Sequence, residues 1–220
     1  MKTAHRLAIA GGIAVLAALL SYLVGDSVPE QLVTNWDAAG EPSGTMPKEQ
    51  ALWLPPALMA VLIGLFAVLP RIDPLQENIA VFRRYYDWFV VVLTAFLFLV
   101  HAGILAFNLG YEFPFVHLLL AGVALLFYYI GVVLTKAKRN WFVGIRTPWT
   151  LSSDEVWYRT HELGGRLFKF TAILALVGLL FGEWAIYFLL VPAFLTAVVT
   201  VVYSYYLYER IEREVDTEGT

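Results

Sequence analysis

Apolar residues run along this chain in long blocks, and six blocks stand out: roughly Leu7 to Val24, Ala51 to Leu69, Trp88 to Leu109, Pro114 to Thr135, Leu167 to Phe181 and Trp184 to Leu207. At about 1.5 Å of rise per residue, most of these cross a hydrocarbon layer roughly 30 Å thick. The fifth is the shortest and needs residues from the connector before it. None alternates apolar and polar positions as a barrel strand does, and a backbone in lipid must satisfy its own hydrogen bonds, so each block predicts a spanning helix. The expected fold is all-α, a six-helix transmembrane bundle. It divides into an N-terminal helical pair with its loop (1–70, loop 25–50), helices three and four (71–135), and a C-terminal part (136–220) with a long connector and helices five and six. Lys2, His5 and Arg6 precede the first block as they would in a secretory signal. The block is longer than a signal core and no small-x-small site follows before Asp26, which predicts a retained helix.

Composition agrees, because 60% of the residues are hydrophobic and 15% charged, against about a quarter charged in a soluble domain. A water-soluble fold is not expected. Where the charges lie matters more than their total. Lys and Arg number two at the N-terminus, one in 25–50, three in 70–87, none in 110–113, seven in 136–169, none in 182–183 and two at the C-terminus, so fourteen of fifteen fall on one side of the predicted bundle. Positive residues stay on the cytoplasmic face. Both termini and the 136–169 connector are therefore expected inside a multi-pass cell-membrane protein, with 25–50 outside. Trp53, Trp88 and Trp184 lie at the mouths of spans, where amphipathic rings anchor in the interface. The net charge of −3 gives no basic field for direct nucleic-acid binding. The absence of cysteine removes thiolate chemistry, disulfides and Cys-based metal sites, and no cofactor is expected.

Two connectors are long enough for specific work. The outer one, Gly25 to Gln50, is acidic (Asp26, Glu30, Asp37, Glu41 and Glu49 against Lys48) and rich in Gly and Pro, which predicts a compact, ordered loop. The inner one, Lys136 to Lys169, contains Ser152-Ser153-Asp154-Glu155, the spacing of a capping box with Ser152 as N-cap. A helix lying along the inner membrane surface is expected from there to about Leu163, stopping or bending at Gly164-Gly165.

The inner connector also resembles the signature of the SdpI family of membrane proteins, through Asn140, the run Gly144-Ile145-Arg146-Thr147-Pro148-Trp149-Thr150-Leu151, Glu155-Val156-Trp157, Thr160-His161 and Gly164-Gly165. The outer loop resembles the short domain of unknown function that often precedes it, through Pro29, Trp36, Gly40 and Lys48. That pattern often has His before the Trp; here Asn35 stands there. The resemblance implies a six-helix membrane protein of a toxin-immunity or signalling kind, with the Gly-Ile-Arg-Thr segment cytoplasmic. Its implied partners are the lipid bilayer, a membrane-active toxin peptide outside and a soluble regulator inside.

The residues expected to form the inner binding segment are Asn140, Gly144, Arg146, Thr147, Trp149, Thr150, Trp157, Thr160, His161 and Gly164, with Trp36 and Gly40 in the outer loop. Arg146 leads, because its guanidinium, between Gly144 and two Trp, suits a bidentate grip on a carboxylate or phosphate; snorkelling to head groups or capping carbonyls is the plainer alternative. His161-Glu162 lacks the second His of a metalloprotease pair, so no metal is expected there. Three functions stay open. The first is a peptide-tolerance and signalling protein. The second is a membrane enzyme on a lipid head group or small phosphate, anchored by Arg146, with His161 and Asp154 or Glu162 as acid and base. The third is a small-solute transporter, which the lack of Asp, Glu, Lys or Arg in the middle of any span disfavours. His101, Asn108 and His117 are the notable polar residues of helices three and four, and only His101 is expected to lie deep.

Overall fold

A computed structural model describes residues 2–218, with side chains for residues 2–211. α1 (Thr3–Val24) leads into a β-hairpin, β1 (Gln31–Trp36) and β2 (Pro42–Pro47), followed by α2 (Lys48–Ile72), α3 (Gln76–Asn108), α4 (Phe115–Leu134), the short α5 (Pro148–Ser152), α6 (Asp154–Gly178), a 3-10 turn at Leu179–Trp184 and α7 (Tyr187–Glu218). Among the described residues, six of these helices are long and apolar enough to cross a membrane. Large apolar side chains face outward along them, with Val15 69%, Val61 66% and Phe194 68% exposed. Such a surface is compatible with lipid and not with water. α1, α2 and α3 pack as one group, and α4, α6 and α7 as another, joined through α3 and α4.

The outer loop is ordered, as expected, but the antiparallel hairpin in it was not foreseen. Its register pairs Leu32 with Met46 and Val33 with Thr45. Asp37 shapes the turn, its Oδ1 accepting from the backbone N–H groups of Ala39 and Glu41 at 2.9 Å each. Asn108 at the end of α3 ties the hairpin down. Its Nδ2 donates to Val33 O at 2.9 Å and its Oδ1 accepts from Val33 N at 2.8 Å, filling the backbone groups of a strand residue.

Proline inside a spanning helix removes an N–H and frees the carbonyl four residues before it. α2 contains Pro55, Pro56 and Pro70, and side chains from neighbouring helices occupy two of the freed carbonyls. Leu52 O, vacated by Pro56, accepts from Ser21 Oγ at 2.7 Å, and His101 Nε2 lies 2.8 Å from the same oxygen of Ser21, placed to donate to it. Phe66 O, vacated by Pro70, accepts from Tyr86 Oη at 2.6 Å. His101 is fully buried and so has a structural task, stitching α1 and α2 to α3.

Two differences from expectation decide the shape of the basic end. The segment from Asp154 to Leu163 is not a separate surface helix but the first turns of α6, which runs through Gly164-Gly165 unbroken; the separate helix between the fourth and fifth spans is α5 alone. The capping box belongs to Thr147 and Thr150 of α5, and Ser153 rather than Ser152 caps α6, accepting from Val156 N. The glycines continue the helix because they lie where α6 crosses α4, and small residues let two backbones approach. A Cβ on Gly131 would stand 2.6 Å from Gly165 O, and one on Gly165 would stand 2.7 Å from Gly131 O.

Candidate functional site on the basic face

The connector between α4 and α6 forms a packed block at the end of the bundle that carries most of the Lys and Arg. Asn140, fully buried, organises its first turn: Oδ1 accepts from the N–H groups of Phe142 (3.0 Å) and Val143 (2.6 Å), and Nδ2 donates to Lys138 O (2.8 Å) and Val143 O (2.9 Å). The chain then reverses at Gly144, whose φ of +121° suits glycine. Any Cβ there would collide with His161 Nε2.

His161 holds the block to α6. Its Nδ1 lies 2.8 Å from Trp157 O, which only accepts, so Nδ1 carries the proton and Nε2 accepts from Ile145 N at 3.0 Å. The ring stacks on Trp157, with centroids 3.9 Å apart and planes 17° from parallel, and Trp157 Nε1 donates to Ala137 O at 2.9 Å. Both imidazole nitrogens are engaged with backbone and the ring is buried, so neither is open to a substrate or metal. This removes the acid-base role weighed for His161. The other groups of that reading are also engaged: Asp154 pairs with Arg139 at 2.7 Å and Glu162 with Arg166 at 2.5 Å. Among the described residues no three His, Asp or Glu side chains are grouped to hold a metal ion.

Thr147 and Thr150 close the far side. They cap α5 reciprocally, Thr150 Oγ1 donates to Ile145 O at 2.9 Å, and Thr147 Oγ1 lies 3.1 Å from Ser204 Oγ of α7. Trp149 meets Tyr205 of α7 edge to face at 5.1 Å. Gly164 lies beneath Ile145, whose side chain takes the space of a Cβ, and Thr160 is buried with no hydrogen-bond partner for Oγ1. Arg146 differs from all of these. It is exposed and donates from one terminal nitrogen to Trp141 O in its own loop. Lys136 and Lys138 of the same connector are also exposed.

A clamp from the α2–α3 connector, which no motif announces, holds the block from the other side. Buried Asp73 turns Oδ1 to Leu75 N (2.7 Å) and Oδ2 to Trp141 N (2.9 Å), and Asn78 Nδ2 donates to Arg139 O at 2.8 Å. Nearby, fully buried Asp87 of α3 joins Arg6 of α1 (3.2 Å) and Arg83 (2.6 Å). The i,i+4 spacing of Arg83 and Asp87 was the one visible cue. Trp36 and Gly40 belong to the other end of the bundle and take no part in this block. Trp36 stacks on Phe115 at the start of α4 (3.8 Å, 17°) and meets Phe107 edge to face at 5.2 Å, and Gly40, with φ +90°, sits in the hairpin turn.

Residues 136–204, which contain this block, match the family model described as the SdpI/YfhL protein family, and residues 12–60 match a domain of unknown function, DUF1648. The Immunity protein SdpI of Bacillus subtilis (strain 168) is 24% identical over 200 residues, 90% of this chain and 94% of that protein. No solved structure matches. The chain is thus a multi-pass membrane protein that carries the SdpI/YfhL signature over residues 136–204 and is similar to that immunity protein along nearly its whole length.

Proposed function

We propose that this protein gives its cell tolerance to a membrane-active peptide, and that the block from Ala137 to Gly164 is a cytoplasmic docking platform for a soluble partner, with Arg146 as its anchor. The likeness to a protein named for immunity, extending over 90% of this chain, carries the reading. The geometry adds a reason for the platform. Asn140, Thr150 and His161 are spent on holding the block's own backbone, while Arg146 gives one N–H to Trp141 O and is otherwise exposed on that packed base. A guanidinium so placed suits a carboxylate of a partner.

Expression in a peptide-sensitive bacterium is expected to raise the concentration of at least one membrane-active peptide needed to stop growth. Arg146→Ala, with protein level unchanged, should remove that gain, because loss of an anchoring Arg weakens an interface by roughly tenfold or more. Unchanged tolerance across a peptide panel contradicts the tolerance reading. Full tolerance with Arg146→Ala contradicts the platform.

A further inference from the structure

At the acidic end the hairpin turn reaches over α4 towards the α6–α7 corner, and a cleft opens beneath it. Its main chamber, about 320 Å³, is floored by Val100, Ile104, Leu119, Leu120 and Ile186, with Trp36 and Asp37 on the hairpin side. Two smaller chambers of about 110 and 260 Å³ share Ala38 with it and continue past Ala39 to Glu183, Trp184 and Tyr187. The floor is apolar and each end of the cleft has a carboxylate, Asp37 at one and Glu183 at the other. The buried Nε1 of Trp36 has no hydrogen-bond partner.

The surroundings have the same sign. Asp26, Glu30, Glu41, Glu49 and Glu112 lie in or beside the connectors of this end. Among Lys and Arg, Lys48 is the one there and pairs with Glu30 at 3.4 Å, while His117 lines the chamber beside Glu183. A lipid acyl chain would suit the floor, but the phosphate above it would face Asp37 and Glu183. A cationic chain satisfies both floor and rim.

We infer that this cleft binds a cationic, apolar peptide, with aliphatic or aromatic side chains on the Ile104–Leu120–Ile186 floor and Lys or Arg over Asp37 and Glu183. The inference rests on the tolerance reading and gives it a site and a ligand class. Trp36, held by its stack on Phe115, supplies an apolar wall on the hairpin side. Capture here would hold the peptide at the membrane surface before it inserts.

The test uses the full chain in nanodiscs of zwitterionic lipid, with a labelled amphipathic Lys/Leu peptide, its Glu/Leu counterpart, and empty discs as the baseline. The Lys/Leu peptide is expected to bind protein-loaded discs about tenfold more tightly than empty ones, more weakly as salt rises, and the Glu/Leu peptide no better than baseline. Ala39→Trp, which fills the cleft, and Glu183→Lys, which reverses an exposed rim charge without touching the core, should each return the Lys/Leu peptide towards baseline. Glu77→Lys, at the opposite end, should leave binding unchanged. Equal binding of both peptides, or full binding by both cleft variants, overturns the inference, as does lipid that stays in the cleft against the peptide. Cell tolerance that persists in Ala39→Trp and Glu183→Lys overturns the cleft alone. Cleft-dependent binding without any cell tolerance upholds the cleft and overturns the tolerance reading.

Discussion

Gly165→Val is expected to melt the protein far below the parent, by at least the roughly 3 kcal/mol at the upper end of ordinary overpacking. A Cβ at this position would stand 2.5 Å from Thr135 Cγ2 and 2.7 Å from Gly131 O. The second obstacle is a backbone carbonyl of a spanning helix, which no rotamer change can move. α4 and α6 would have to separate along the most extensive helix contact in the fold. The block on the basic face would come apart with them, because Trp157 on α6 donates to Ala137 just after α4. Gly12→Val is the control, since a Cβ there meets nothing within 4 Å. Thermal unfolding of both variants in detergent should leave Gly12→Val near the parent. Equal melting of the two would show that the close crossing contributes little.

Asp87→Ala is expected to cost about 3–5 kcal/mol, the usual penalty for removing one partner of a buried ion pair. Asp87 is fully buried with Arg6 at 3.2 Å and Arg83 at 2.6 Å. Its loss strips the carboxylate from a guanidinium that is itself largely buried between α1 and α3. Chemical denaturation in mixed micelles measures the loss. The double variant Arg6→Met, Asp87→Leu should recover much of it, because it replaces the two buried members with apolar groups, which is often neutral, and leaves only the partly exposed Arg83 without this carboxylate. A double variant as unstable as Asp87→Ala would place the cause in packing and not in charge.

The six spans were legible because lipid demands long uninterrupted apolar runs, and nothing else in the chain competes with that signal. The basic connector was legible as one unit, since Asn140, Gly144, Thr147, Trp157 and His161 are spaced closely and meet within one block. Their tasks were not. That His161 accepts from Ile145 N follows from a reversal at Gly144 that brings the loop against α6, and spacing alone carries no such information. Gly164-Gly165 read as a helix stop because a glycine pair weakens an isolated helix. In the bundle the same absence of Cβ permits the crossing with Gly131, and packing outweighs propensity. The hairpin stayed hidden because β2, Pro42–Pro47, is short, with Pro at both ends and Gly within it, and because β1 is anchored at Val33 by Asn108 of distant α3. Asp87 lay at the edge of a connector, where a carboxylate is ordinarily solvated. Only the turn of α3 towards α1 buries it.

Together these features describe a bundle with two different ends. The acidic end has a hairpin and a cleft, and the basic end has a block of loop backbone fixed by its own side chains, with Arg146 left outward. The functional proposals depend on the acidic end facing out and the basic end facing the cytoplasm, as the distribution of Lys and Arg predicts.

The chain contains no cysteine, so a single introduced thiol reports its own location without background. Ser43→Cys in the hairpin and Lys138→Cys in the basic block are both at exposed positions. With a membrane-impermeant thiol reagent on intact cells, Ser43→Cys should label at once and Lys138→Cys only after permeabilisation. Labelling of Lys138→Cys in intact cells, with Ser43→Cys protected, would reverse the orientation and contradict both the platform and the cleft.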